Sequence, residues 1–288
     1  MPFLNHFGLK EHPFSLTPNP ALFFGGRLHR PILEMLSFAL KRGDGVLTVV
    51  GDVGTGKTML CRLLLQVLDG EAALAYLHAP LSDDTDIARD VAREFGLDVG
   101  PHDDAFHILN RFLLEQHSAG RRAVLVIDEA QSLGRPGLET IRLLSNLETE
   151  YSKLLQTVMF GQPELDALLQ QHALRQLNQR IAFRFETRAL TARDASRYVQ
   201  HRVHRCSING DPREMFTKSA LAMLARHSRG VPRVINILAD KAMLAAYAEN
   251  VTTVRRRHMV AAIDDSPSIA QKLAFFRRWN VARLAGVG

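Results

Sequence analysis

Val46-Leu47-Thr48-Val49-Val50-Gly51-Asp52-Val53-Gly54-Thr55-Gly56-Lys57-Thr58-Met59 is the stretch whose reading decides the fold. It opens on a short apolar, β-branched run that ends in glycine, as strands buried on both faces do. Residues 51–58 then satisfy G-x-x-x-x-G-K-[ST] in full, and Lys57–Leu68 reads as a helix. Strand, glycine-rich turn and helix in that order form a phosphate-binding loop. The glycines let the backbone curl until successive N–H groups point at one anion, and the helix N-terminus adds the positive end of its dipole. Lys57 is expected to neutralise β- and γ-phosphate oxygens of ATP, and Thr58 to offer its hydroxyl to Mg²⁺. Gly51, Asp52, Val53, Gly54, Thr55, Gly56, Lys57, Thr58 and Met59 together make the expected nucleotide cradle. A chance glycine-rich turn is the bland alternative, and the flanking strand and helix weigh against it.

Further along, Ala123-Val124-Leu125-Val126-Ile127-Asp128-Glu129 supplies a second half for such a site. An apolar strand ending in an acid sets a carboxylate at the C-terminal edge of a parallel sheet, where open α/β sheets bind ligands. Asp128 is the expected Mg²⁺ partner, directly or through water, and Glu129 the candidate general base for an attacking water. Taken alone, an Asp-Glu pair after a strand reads more readily as a helix cap or a solvated turn. Paired with a phosphate loop, it reads as the hydrolytic half of the site. The interval between the two motifs leaves room for an extra strand–helix pair, so Asp128 is not expected on the strand next in sequence to the loop. That spacing suits P-loop ATPases of the AAA+ kind, in which a strand lies between the two motif strands.

The rest of the chain fills in the pattern. Strands are expected at 46–50, 73–77, 123–127, 155–160 and 182–188, interleaved with helices at 31–41, 57–68, 84–95, 105–117 and 138–148, with Ser82, Asp83 and Asp84 as caps for the third. From Thr191 onward only helical periodicity is present, at 192–205, 217–228, 232–248 and 255–264. The fold class expected is therefore α/β, an AAA+ P-loop NTPase with a parallel sheet flanked by helices, followed by a small all-helical lid. The boundary falls near residue 190, giving an ATPase domain at 1–190 and a lid at 191–288. Residues 1–30, rich in Phe, Pro and Gly, read as an irregular lead-in belonging to the first domain.

Three further polar residues sit where such an ATPase needs them. Gln162 follows the strand at 155–160 in Gly161-Gln162-Pro163-Glu164-Leu165, and an amide there can touch the γ-phosphate or orient water, the role called sensor 1. Arg180 precedes the last strand and can reach a neighbouring subunit's ATP as an arginine finger, with Arg175 as a competitor and a plain surface arginine as the bland alternative. Arg233, in Gly230-Val231-Pro232-Arg233, opposes a helix dipole from the first turn, a cost that points to a task such as touching ATP from the lid.

Composition narrows the class without naming it. With 288 residues, 46% hydrophobic and 23% charged, the chain is ordinary globular material, and no apolar run reaches the length of a membrane span. The N-terminus lacks a basic segment followed by an apolar one, so no secretory signal is expected and the cytoplasm is the default compartment. Two distant cysteines, Cys61 and Cys206, make no disulfide framework. A net charge of +6 suits nucleic acid or an acidic membrane surface, yet a modest arginine excess is common. His201, His204 and Cys206 do not share one helix face, so a metal site is not expected there. Arg255-Arg256-Arg257 reads as a solvated helix face, and Phe275-Phe276-Arg277-Arg278-Trp279 as a bilayer contact, a lid cover or the approach to a membrane span.

Residues 3–30, with Phe7-Gly8-Leu9, Pro13-Phe14 and Thr17-Pro18-Asn19-Pro20, resemble the ExeA/GspA group, AAA+ ATPases of type II secretion and type IV pilus systems. Asp128-Glu129-Ala130-Gln131, Leu147-Glu148, Gly161-Gln162-Pro163-Glu164-Leu165 and Gly230-Val231-Pro232-Arg233 carry the same resemblance, which covers nearly the whole chain. The opening segment is its most specific element, because the phosphate-loop and acid motifs occur in many families. Within the group the chain is most similar to the MSHA pilus-biogenesis branch, since no peptidoglycan-binding domain follows the lid. ExeA-type members continue into a membrane span and a periplasmic domain, and this chain stops at Gly288. The resemblance implies an ATP-dependent homo-oligomer working with envelope or inner-membrane assembly proteins, at the cytoplasmic face of the inner membrane. A DNA-associated AAA+ regulator of the transposition type is the alternative, and a non-hydrolysing scaffold a third that Glu129 argues against.

Overall fold

The computed structural model describes residues 2–78, 86–208 and 214–266. The chain divides into two units, one formed by Arg27–Arg188 and the other by Met1–Gly26 together with Ala189–Gly288. In chain order the elements of the first part are α1 (Pro2–Phe7), α2 (His29–Arg42), β1 (Val46–Gly51), α3 (Lys57–Leu68), β2 (Ala72–His78), α4 (Ile87–Glu94), α5 (Ala105–Ser118) and β3 (Arg122–Asp128). They continue with α6 (Gly134–Leu144), β4 (Leu155–Gly161), α7 (Pro163–Leu169), α8 (Arg175–Arg180) and β5 (Ile181–Thr187).

Five parallel strands make one sheet in the order β2-β3-β4-β1-β5. β4 therefore separates β1 from β3, as the motif spacing predicts. The strands declare their places by burial. Every residue of β1 and β4 is buried, as is all of β3 except Arg122, so these runs carry no polar alternation and need cover on both faces. β5 alternates instead, with Ala182, Arg184 and Glu186 exposed and Ile181, Phe183 and Phe185 half-buried, as befits an edge. Leu109 and Leu113 of α5 and Leu138 and Ile141 of α6 join Leu125, Ile127 and Met159 in one core, while α3 lies against β1, β3 and β4 and buries Leu60, Cys61 and Leu64. The parallel sheet brings the C-terminal ends of β1, β3 and β4 to one edge, and the candidate site is built there.

Helix ends follow capping chemistry more closely than periodicity. The helix expected at 84–95 is Ile87–Glu94, and Asp86 caps it through the Arg89 N–H at 3.2 Å. The caps expected at Ser82, Asp83 and Asp84 lie outside the described residues. The helix expected at 138–148 begins earlier, at Gly134, with Pro136 in its first turn, where a missing N–H costs nothing. α7 and α8, of 7 and 6 residues, are too short to print a period and were not expected.

The second unit contains α9 (Ala192–Cys206), α10 (Lys218–Ser228), α11 (Pro232–Ala248) and α12 (Arg256–Asp264), with Thr191 and Thr217 capping α9 and α10. Residues 2–26 belong with these helices, not with the sheet-bearing domain of 1–190 to which the lead-in was assigned. Phe7, Leu9, Phe14 and Leu22 share a core with Val199, Val203, Leu221, Leu224, Leu238 and Met243. Lys10 N–H donates to the Cys206 carbonyl at 2.8 Å, Ile208 N–H to the Gly8 carbonyl at 3.0 Å, and Phe14 meets Phe216 edge-on at 5.9 Å. The lead-in also contains a helix, α1, that periodicity does not predict. At 6 residues it is too short to print a period, although Phe3 and Phe7 meet edge-on at 5.1 Å and Phe3 and His6 both pack on Tyr247. Among the described residues no helix is long and apolar enough to cross a membrane. Arg257 of the arginine run pairs with Glu249 at 2.5 Å, His201 packs its ring on Phe24 at 5.6 Å, and residues 275–279 lie outside the described residues.

Candidate active site

The loop between β1 and α3 is held from three sides. Gly56 stands just before α3 at φ 105°, a left-handed conformation that glycine adopts at little cost, and a Cβ there would lie 2.9 Å from His29 Nε2. Thr55 bonds Asp52 O through its hydroxyl at 2.7 Å and meets the Thr187 hydroxyl at 2.8 Å. His29, from the first turn of α2, lies 2.7 Å from the Thr55 carbonyl; a carbonyl only accepts, so the imidazole carries its proton on Nε2. Burial lowers the His29 pKa and keeps the ring neutral. His29 and Thr187 are contributors that the motif does not contain. No sequence signal marks His29, whereas Thr187 closes the last strand and could have been found by its register beside Gly51.

Lys57 folds back across its own loop, with Nζ donating to Gly51 O at 2.7 Å and Asp52 O at 3.0 Å. An ammonium has three donors, so one remains for an anion. Burial lowers its pKa, while the nearby charges of Glu129 and Asp128 push the other way.

Asp128 is fully buried at the end of β3. One carboxyl oxygen accepts the Glu129 N–H at 3.0 Å, while Oδ2 is buried without a hydrogen-bond partner. Burial raises the Asp128 pKa, the nearby Thr58 hydroxyl opposes this, and His78 Nδ1 stands 4.0 Å from Oδ2. A carboxylate oxygen stranded beside a hydroxyl costs free energy unless something compensates, and a hard divalent cation takes such oxygen donors. The Thr58–Asp128 pair fits Mg²⁺ on that chemistry. Among the described residues no group of three or more His, Cys, Asp or Glu side chains could hold a metal by itself.

Glu129 has left-handed backbone, φ 54° and ψ 41°. Its Oε2 accepts from Gln131 Nε2 at 2.6 Å and from Gln162 Nε2 at 2.9 Å. Burial pushes its pKa up, but the two amides and the Lys57 charge outweigh this, and the carboxyl sits below its ordinary value. Gln162 thus stands beside Glu129 at the end of β4. Gln131 was not expected in the site, although it lies in the Asp128-Glu129-Ala130-Gln131 stretch.

The two arginines are placed differently. Arg180 closes α8, half-buried, and donates from Nη1 to the Ser145 carbonyl at 3.0 Å, while Arg175 at the other end of α8 is exposed. Arg233 is exposed in the first turn of α11, in the helical unit.

Residues 40–169 match the family model described as an AAA domain. Over 252 residues the chain is 41% identical to General secretion pathway protein A of Aeromonas hydrophila, an alignment covering 85% of this chain and 45% of that protein. The chain thus spans less than half the length of that relative. Among solved structures, the ORC2 protein of Aeropyrum pernix has a TM-score of 0.66 at 15% identity, over 89% of this chain and 72% of that one. Cdc6p of Pyrobaculum aerophilum has a TM-score of 0.65 at 18% identity, over 84% and 67%. At such identities the likeness speaks to the fold alone. The chain has the AAA fold of P-loop NTPases, a five-stranded parallel sheet accompanied by a helical unit.

Proposed function

We propose that this chain is an ATPase of the ExeA/GspA type, which binds Mg·ATP and hydrolyses it to drive or license the assembly of an envelope machine. The observation that carries the reading is the pairing of a buried Asp128 with a Glu129 held in place one residue further on, at the sheet edge where the Lys57 loop begins. Residues 51–59 cradle the phosphates, with Lys57 turning its remaining donor to the β/γ oxygens. Thr58 and Asp128 would hold Mg²⁺, which supplies charge neutralisation on those oxygens. Glu129, ionised at neutral pH, orients and deprotonates the attacking water, and Gln162 senses the γ-phosphate beside it. Arg233, exposed in the first turn of α11, is the candidate nucleotide sensor of the helical unit. Arg180, once released from Ser145, acts on the ATP of a neighbouring copy, so the active form is an ATP-dependent homo-oligomer.

The likeness to a general secretion protein supports a type II secretion role, and the chain's resemblance to the MSHA pilus branch supports a type IV pilus role. Both put it at the cytoplasmic face of the inner membrane with envelope assembly proteins as partners. The net charge of +6 keeps a second reading in play, a DNA-associated AAA+ regulator. ATP turnover against protein concentration separates these, for wild type, Lys57→Ala, Glu129→Gln and Arg180→Ala. Turnover per subunit that rises with concentration, and is lost in all three variants while Glu129→Gln still binds ATP, supports the assembly ATPase. Turnover that is absent, or indifferent to concentration and Arg180, overturns it. Duplex binding with a steep salt dependence would move the reading to the DNA-associated class.

A further inference from the structure

Gln131 lies in a short 3-10 turn just past Glu129, and its amide is used at both ends. Nε2 donates to Glu129 Oε2 at 2.6 Å, and Oε1 accepts the backbone N–H of Gln162 at 2.9 Å. Gln162 returns its own side chain to the same Glu129 oxygen at 2.9 Å, which closes a ring of three hydrogen bonds between the ends of β3 and β4. The approach is tight. A Cβ on Gly161 would lie 3.2 Å from Gln131 Oε1 and closer still to Leu165, so glycine at the end of β4 makes room for the amide.

The two bonds of Gln131 demand one particular side chain. A carboxylate at this position would keep the acceptor for Gln162 but place a like charge against Glu129. A thioether would supply neither. Glu129 itself is a non-glycine residue in left-handed backbone, a conformation that persists where surroundings over-determine it. Gln131 is a large part of those surroundings. Gln162 has a second obligation in the proposed cycle, and when its side chain turns to a γ-phosphate its own hold on Glu129 is given up.

We infer that Gln131 is a positioning residue for hydrolysis: it tethers the Glu129 carboxylate to the end of β4, so that Glu129 keeps its aim when the Gln162 side chain turns to the γ-phosphate. The inference rests on the hydrolytic reading. Gln131 touches neither phosphate nor water in this role and acts through Glu129.

Gln131→Met and Gln131→Glu in the full chain test it. ATP affinity, measured with a fluorescent ATP analogue, should stay within about twofold of wild type, while kcat falls about 10- to 100-fold, the usual loss when a supporting hydrogen bond is removed. Unchanged kcat would overturn the inference, as would ATP affinity falling in step with kcat. A second readout needs no turnover: the backbone amide NMR signal of Gln162 in nucleotide-free protein should shift in Gln131→Met, which removes its acceptor. A wild type that hydrolyses ATP with no such shift overturns the tether and spares the hydrolytic reading. A wild type that binds but never hydrolyses ATP overturns the hydrolytic reading, and the positioning role falls with it.

Discussion

His29 Nε2 lies 2.7 Å from the carbonyl oxygen of Thr55, so a side chain from α2 holds the phosphate loop by its backbone. The ring must be neutral to fit its buried place, and burial lowers its pKa below the ordinary 6.5. Unfolded chains then take up a proton at pH values where the folded protein does not. Stability attributable to His29 is present above about pH 6.5 and lost as the pH falls through that value towards the folded pKa. His29→Gln keeps an N–H donor and removes the titration. The difference in Tm between wild type and this variant, wild type the higher at pH 8, should shrink at about pH 5.5.

Gly56→Ala meets two obstacles at once, the left-handed φ of 105° and a Cβ 2.9 Å from the His29 ring. Gly70→Ala meets only the first, since φ is 74° and nothing lies within 4 Å. Backbone strain alone costs about 1 kcal/mol. Denaturant midpoints should fall further for Gly56→Ala than for Gly70→Ala, and adding His29→Ala should recover part of the difference. Equal losses in the two single variants would show that His29 yields freely.

Asp128 has a folded pKa raised above the ordinary 3.8 by burial. A raised carboxyl favours folding while protonated and loses that contribution as pH rises, so at neutral pH the ionised group destabilises the nucleotide-free protein. Asp128→Asn should therefore raise the Tm of nucleotide-free protein while abolishing the Mg²⁺-dependent part of the Tm gain on adding ATP. Thermal shifts with ATP, with and without Mg²⁺, check both halves of that exchange of stability for function.

Phe14 is 2% exposed and stands edge-on to Phe216. Truncating a buried phenylalanine costs about 3–5 kcal/mol. Phe14→Ala should lower amide-exchange protection in α9, α10 and α12 and leave β1, β3 and β4 close to wild type. Equal loss in both units would show that they unfold as one.

The parts of the fold legible in the sequence are those written in contiguous residues. β1, the loop and α3 are spelled in a single run, and the buried strands β3 and β4, apolar inside their ends apart from Gln156 and Thr157 in β4, lead directly into the candidate site residues. Lys57, Thr58, Asp128, Glu129 and Gln162 follow from that spelling alone. What escaped the reading depends on proximity between distant residues. His29 reaches Thr55 across 26 positions and Gln131 reaches Gln162 across 31, with no periodicity to announce either. The lead-in was assigned to the wrong neighbour for the same reason, since Phe7, Leu9 and Phe14 find their partners beyond Ala189.

That last feature sets the order in which the protein can be made. Residues 2–26 leave the ribosome before Arg27–Arg188, yet the helices that share their core are translated only after it. At synthesis rates of about 5–20 residues per second, the wait is on the order of 10–30 s. Through that interval Phe7, Leu9 and Phe14 lack their native cover, while the sheet and its loop already have every residue they need. The sheet and its loop can mature on the ribosome before the helical unit has the residues to close around Phe7, Leu9 and Phe14.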